Sequence, residues 1–167
     1  MSRFATGVTV VTTFDGERPA GITVNALSSV SLDPPLVMVA LDRSRFITPM
    51  VRSHGRYAVN VLGDGQQALS DCFAHGPVGP GRLGREDFCG ATWRPGPTGL
   101  PLLDASIATL ECTVVETFSA GDHDLFIGRV DSLAAPDDPT HPLLFFRRQY
   151  VRVAPASAFT VEGKQEG

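Results

Sequence analysis

Gly7-Val-Thr-Val-Val-Thr-Thr13, then Asp15-Gly16, then Ala20-Gly-Ile-Thr-Val-Asn25 decides the fold class. The first run is dense in β-branched residues, whose stiff side chains suit a pleated strand. Asp15-Gly16 is a hairpin dipeptide, because both residue types tolerate positive φ. The second run then pairs back on the first, so the chain opens with a β-hairpin.

Working outward, Leu27-Ser-Ser-Val-Ser-Leu32 reads as a third extended run, closed by Asp33-Pro34-Pro35 because proline cannot donate to a ladder. Leu36-Val-Met-Val-Ala-Leu41 is a continuous apolar run of strand length, expected to be central and buried on both faces. Thr48-Pro49 reads as an N-cap followed by a first-turn proline, opening a short helix that stops at Gly55. Arg56-Tyr-Ala-Val-Asn-Val-Leu62 is the next strand. Asp64-Gly-Gln-Gln67 has capping-box spacing and opens a helix whose Ala68, Leu69, Cys72 and Phe73 share one face. From Gly76 to about Gly99 the chain is rich in Gly and Pro, too long for a plain connector. Ala108, Leu110, Cys112 and Val114 alternate with Thr109, Glu111 and Thr113, the mark of a half-buried strand. Leu125-Phe-Ile-Gly-Arg-Val130 and Leu143-Leu-Phe-Phe146 supply two more strands. Seven or eight strands with two short helices and mostly hairpin connections predict a mainly β, antiparallel barrel rather than a doubly wound sheet.

Composition narrows the function classes. The 167 residues suit one domain, taken as 1–160, with 161–167 a polar tail. A net charge of -4 argues against a broad nucleic-acid footprint. No stretch has the length of a membrane span, and the N-terminus lacks the layout of a signal peptide, so the expectation is a soluble, cytoplasmic protein. Cys72, Cys89 and Cys112 are odd in number and widely spaced, and are read as buried free thiols. His54, His75 and His141 lack ligand spacing, so no metal site is expected. Gly79-Pro-Gly-Arg-Leu-Gly84 matches a dinucleotide fingerprint by letter. It follows a helix and contains Pro80, so the context fails. Asn60, mid-strand among apolar neighbours, is expected to bond the backbone, and Trp93 to pack under the long loop.

Thr23-Val-Asn-Ala26 and Ser28-Ser-Val-Ser31 set small polar groups between two buried strands. Such residues make local hydrogen bonds, or form a wall on which a flat ring approaches the backbone. The order Phe4-Ala-Thr-Gly-Val-Thr-Val-Val-Thr-Thr13, Gly21-x-Thr-x-Asn25, Ser29-Val-Ser31-x-Asp33-Pro-Pro-Leu36 and Arg56 to Leu62 closely resembles the flavin reductase family. Gly121-Asp-His123, Ile127 to Val130, and Pro142 to Arg147 with Tyr150 extend the likeness to about Val153. The resemblance implies an FMN-binding split β-barrel, Greek-key-like with two or three short helices, usually a homodimer. It implies reduction of FMN or FAD by NADH or NADPH, with reduced flavin supplied to a flavin-dependent monooxygenase. Two alternatives use the same barrel: a flavin-binding protein without diffusible reductase activity, and a flavin-dependent oxidase acting directly on an organic substrate.

By position, the resemblance assigns Thr23, Val24, Asn25, Ala26, Ser29, Val30 and Ser31 to the flavin ring segment. It assigns Asp42, Arg43, Ser44 and Thr48 to the ribityl and phosphate end, Phe73 and Ala74 to a nearby flavin-side segment, and Arg147 and Tyr150 to the same face. His123 falls near the nicotinamide, in the catalytic position. The chain departs from the pattern in two places. Met1 stands only three residues before Phe4, where members carry a further helix, and Arg148 occupies a position where many carry glycine.

Overall fold

The computed structural model describes residues 3–75, 88–137 and 141–153. Its strands are β1 (Thr6–Gly7), β2 (Thr9–Asp15), β3 (Arg18–Val24), β4 (Leu27–Leu32), β5 (Pro35–Asp42), β6 (Arg56–Val61), β7 (Trp93–Pro95), β8 (Pro101–Leu103), β9 (Ala108–Ala120), β10 (His123–Ala134), β11 (Leu144–Phe146) and β12 (Gln149–Val151). Two helices, α1 (Ile47–His54) and α2 (Gln67–His75), complete the regular elements with one short 3-10 turn at Phe88–Gly90. The seven strands of six residues or more build one antiparallel sheet in the order β3-β2-β6-β9-β10-β5-β4. The shorter ones form two accessory sheets, β1-β11-β12 and β7-β8.

Strands β3 and β4 lie at opposite edges of the seven-stranded sheet, yet only Asn25 and Ala26 separate them in sequence. Two residues reach about 7 Å at most. The edges must therefore curl round to meet, which closes the sheet into a barrel with an unpaired seam. This is a split barrel, and Asn25-Ala26 bridges its seam.

The barrel interior holds Val11, Val39, Val59, Tyr57, Cys112 and Phe126, all fully buried. A second cluster of Val8, Val10, Leu62, Phe73, Phe88, Leu103 and Leu143 packs α2 against the sheet. Asn60 is buried and bonds as the sequence predicts. Its Nδ2 donates to Val10 O at 3.0 Å and to Thr12 Oγ1 at 3.1 Å, while Oδ1 accepts from Leu103 N at 2.8 Å. It staples β6 to β2 and β8.

Several local readings change. Asp15 ends its strand and Gly16, at φ 60°, begins the two-residue loop. Thr48 is no cap: it lies buried inside α1 and donates to Asp42 O at 2.6 Å, with Phe46 in the cap position. The helix does end at Gly55, at φ 70°, whose N–H bonds Val51 O. At α2 the residue that reaches back is Gln66, whose Oε1 accepts from Gly63 N at 2.9 Å, while Asp64 N donates to His141 O. Ala68 is exposed, and Ser70 takes its place on the buried face.

Thr109 and Glu111 are buried rather than solvent-facing. The Glu111 carboxylate accepts from Thr98 N, Thr98 Oγ1 and Leu100 N, so the 96–100 loop covers that face. Trp93 is partly exposed and contacts the rings of Phe14 and Phe88.

Cys72 and Cys89 form a disulfide that ties α2 to the 3-10 turn, which corrects the reading of three free thiols. Cys112 is free and buried, and burial pushes its thiol up to about 12. The Gly79–Gly84 motif and the 161–167 tail lie outside the described residues. Among the described residues no helix is long and apolar enough to cross a membrane.

Candidate flavin site

Three adjoining clefts surround the seam. The largest, about 690 Å³, is lined by residues including Asn25, Ala26, Met38, Phe145, Arg147 and Arg148. A second, about 260 Å³, carries Thr23, Val24, Asn25, Ala26, Ala40, Asp42, Arg45, Ala74 and His123. The third, about 400 Å³, lies between β3, α2 and β12 and includes Thr23, Asn25, Ser70, Asp71, Ala74, Arg148 and Tyr150. Asn25 borders all three, so they are lobes of one groove running along the barrel seam.

The seam dictates the chemistry of this groove. Asn25 and Ala26 lie outside both strand ladders, and among the described residues neither N–H donates to a backbone carbonyl, although Ala26 O accepts from Ala40 N. Backbone donors left over at an open cleft bind anionic or carbonyl edges of a ligand. The facing strand explains the apolar run of β5. Val37, Val39 and Leu41 enter the core, while half-buried Met38 and Ala40 face the groove, so the strand is not buried on both sides. Its outer face is apolar where a ring would lie.

One end of the groove is polar. Asp42 Oδ1 accepts from Ser44 N at 2.8 Å and Ser44 Oγ at 2.7 Å, and these bonds, the hydroxyl first, hold its carboxyl below the usual range. His123 pairs with Asp42 across β10 and β5 and lies half-exposed, with Nδ1 2.7 Å from Asp122 Oδ1. That hydrogen bond likewise lowers the Asp122 carboxyl. Arg43 turns away: its guanidinium donates to Gly121 O and its N–H to Asp122 O, so it stitches the β9–β10 turn. Arg45 is the arginine that lines this end.

On the opposite wall, Thr23 donates to Ser70 O at 2.6 Å and fastens β3 to α2. Tyr150 Oη donates to Asp71 Oδ1 at 2.8 Å and lies 2.9 Å from Ser70 Oγ, and partial burial raises its phenol. Phe73 is in the core beneath Gly21 and supports the wall, whereas Ala74 reaches the groove.

The structure thus gathers Thr23, Val24, Asn25, Ala26, Asp42, Ala74, His123, Arg147 and Tyr150 about one groove. Ser29, Val30 and Ser31 sit further along edge strand β4, at a bulge, and Ser28 is the β4 serine that lines the groove. Ser44, exposed, and Thr48, buried, both hold the turn through bonds to Asp42. The reading of the residues missed Arg45, Met38, Ala40, Ser70, Asp71 and Phe145. Only the unexplained apolar outer face of β5 carried a local signal. Among the described residues no three His, Cys, Asp or Glu side chains cluster as a metal site.

A split barrel whose groove has an apolar wall, arginines at both ends and, among the described residues, backbone donors without backbone acceptors belongs to the class that binds flat, phosphate-bearing redox cofactors. The comparisons make this particular: residues 1–154 match the flavin reductase like domain, and the chain belongs to that family. It is 40% identical over 149 residues to an NADH-dependent flavin reductase of Rhodococcus sp, covering 87% of this chain and 78% of that one. It is 33% identical over 156 residues to HsaB of Mycobacterium tuberculosis, the reductase subunit of a flavin-dependent monooxygenase, covering 93% and 80%. Among solved structures, the flavin reductase PheA2 superposes with a TM-score of 0.81 at 36% identity, covering 93% of this chain and 94% of that one.

Proposed function

We propose that this chain reduces FMN or FAD with NADH or NADPH and hands the reduced flavin to a partner monooxygenase. The observation that carries this reading is the seam groove: Met38 and Ala40 on one wall and, among the described residues, Asn25 and Ala26 N–H groups with no backbone acceptor at its edge. A bound flavin accepts the hydride itself, so the protein's task is binding, orientation and charge stabilisation. The Asn25 and Ala26 amides would stabilise negative charge at the edge of a bound ring. Met38, Ala40 and Phe145 would hold its apolar body. Arg45 supplies charge for a phosphate at the Asp42 end. His123, held by Asp122 at the mouth of the cleft, would face an entering nicotinamide. The named relatives support both the donor and the monooxygenase partner.

The reading extends to a cytoplasmic homodimer. Val30 and Leu32 on edge strand β4 are exposed, at 52% and 89%, and a second copy would cover them. The test of function is absorbance loss at the nicotinamide band when purified protein meets excess FMN or FAD. Turnover of many flavins per protein supports the reductase. Flavin bound without turnover supports a storage or carrier role, and turnover only with an added organic substrate supports an oxidase.

A further inference from the structure

The two-residue turn between β11 and β12 is Arg147-Arg148, at φ 51° and 65°. Hairpin turns with both central residues left-handed favour Asn-Gly or Gly-Gly, because a Cβ there crowds the backbone. Two other tight hairpins of this chain, β2–β3 and β9–β10, place glycine at the left-handed position, Gly16 at φ 60° and Gly121 at φ 59°. Backbone geometry alone therefore asks for glycine where the chain places two long cations.

Both arginines line the largest lobe of the groove, and Arg148 also lines the lobe beside Tyr150. Arg147 lies over the Phe146 ring at 5.4 Å. Among the described residues neither guanidinium has an ion-pair partner. Asp71, the carboxylate in the same lobe, is engaged by the Tyr150 hydroxyl. Arg45 marks a different, smaller lobe with Asp42 and His123. Arg45 has a carboxylate, Asp42, lining the same lobe as an unpaired neighbour, and the groove thus has arginines at both ends of the Asn25-Ala26 seam. A ligand with one phosphate uses one of them. A second serves another phosphate-bearing group, and the planar fork of arginine matches phosphate oxygens two at a time.

Resting on the reading of the groove as a flavin and nicotinamide site, we propose that Arg148 grips the pyrophosphate of an adenine dinucleotide. Its adenosine diphosphate half comes either from the nicotinamide donor or from FAD. Arg148 thereby sets which dinucleotide this chain prefers, at a position where glycine would satisfy the turn.

The test uses the full chain as wild type, Arg148→Gly, Arg148→Gln and Arg148→Lys. Glycine suits the turn, so Arg148→Gly is expected to fold with a melting temperature at or above wild type. Dissociation constants are measured for ADP-ribose, FAD and FMN, with KM for NADH and NADPH at fixed FMN. The proposal expects ADP-ribose affinity to fall at least fivefold in the Gly and Gln variants and by a smaller factor in Lys, which keeps the charge but not the fork. A matching rise in KM for the donor assigns the site to the donor, and a loss of FAD affinity exceeding that for FMN assigns it to FAD. Values for ADP-ribose, FAD and both donors all within twofold of wild type in folded Gly and Gln variants would overturn it. If the wild type reduces no flavin, the reductase reading fails, while the ADP-ribose and FAD titrations still decide the role of Arg148.

Discussion

Replacing Gly21 by alanine should destabilise the protein through the wall that separates core from groove. Gly21 lies in β3 opposite Thr12. A Cβ there would stand 2.8 Å from Phe73 Cε1, 3.1 Å from Phe73 Cδ1 and 3.3 Å from Val10 Cγ1. Carbon atoms pack best about 3.5–4.0 Å apart, so the ring must move by several tenths of an ångström or more. It has little room. Phe73 is 5% exposed and stands edge-on to Phe88 at 5.0 Å, and Val10 is fully buried. The strain therefore passes into α2, which carries Ser70 and Ala74 to the groove. Overpacking of this kind costs about 1–3 kcal/mol. In a chain of this size that lowers the melting temperature by roughly 2–12 °C. Circular dichroism melts of Gly21→Ala, Phe73→Leu and the double variant form the assay. Phe73→Leu removes the crowding ring edge, so the double variant should lose less than the sum of the singles. A Gly21→Ala melt at or above wild type, or strictly additive losses, would refute the steric argument.

Asn60→Ala removes the side-chain partner of three buried groups on β2 and β8 and should lower unfolding free energy by about 3 kcal/mol or more in urea titration; a loss under 1 kcal/mol contradicts the staple. Denatured without reductant, the chain should titrate one thiol, that of Cys112, and a count of three would contradict the Cys72–Cys89 bond. The Ser119 hydroxyl, followed by Arg52, holds the Asp124 carboxyl below its ordinary 3.8. A depressed native pKa adds stability above the unfolded value and loses it as pH falls through the native one. Stability should therefore drop below about pH 4, and Asp124→Asn should flatten that acid limb in melts from pH 7 to 2; an unchanged limb speaks against the pairing. His123→Ala should slow flavin reduction by about tenfold, the worth of one hydrogen bond, with a smaller effect on flavin affinity. An equal or larger loss of affinity would assign His123 to binding.

Much of the frame was legible because it rests on local rules. The opening hairpin, β4, β6 and the Gly55 stop follow from β-branched runs, turn residues and left-handed caps. What escaped depends on which neighbours arrive. The polar alternation of β9 pointed Glu111 outward, and the 96–100 loop folds over it with three donors. The Thr48 hydroxyl has the chemistry of a cap, but tertiary packing starts α1 earlier and turns it inward. Arg43 and Arg45 are indistinguishable in a list of residues; the β9–β10 turn claims the first and leaves the second at the groove. Cys72 and Cys89 are 17 residues apart, and only the docking of α2 beside the 3-10 turn brings them together. The candidate site was legible chiefly through the family pattern, because it is the closing of the barrel that leaves the Asn25 and Ala26 N–H groups without backbone acceptors among the described residues.

The most direct test is the position of the flavin in a crystal of this chain grown with FMN. The account predicts the ring along the Asn25-Ala26 seam, flanked by Ala40 or Met38, with one face open toward His123. A flavin bound elsewhere, or a seam filled by the protein's own side chains in the flavin-bound crystal, would contradict it.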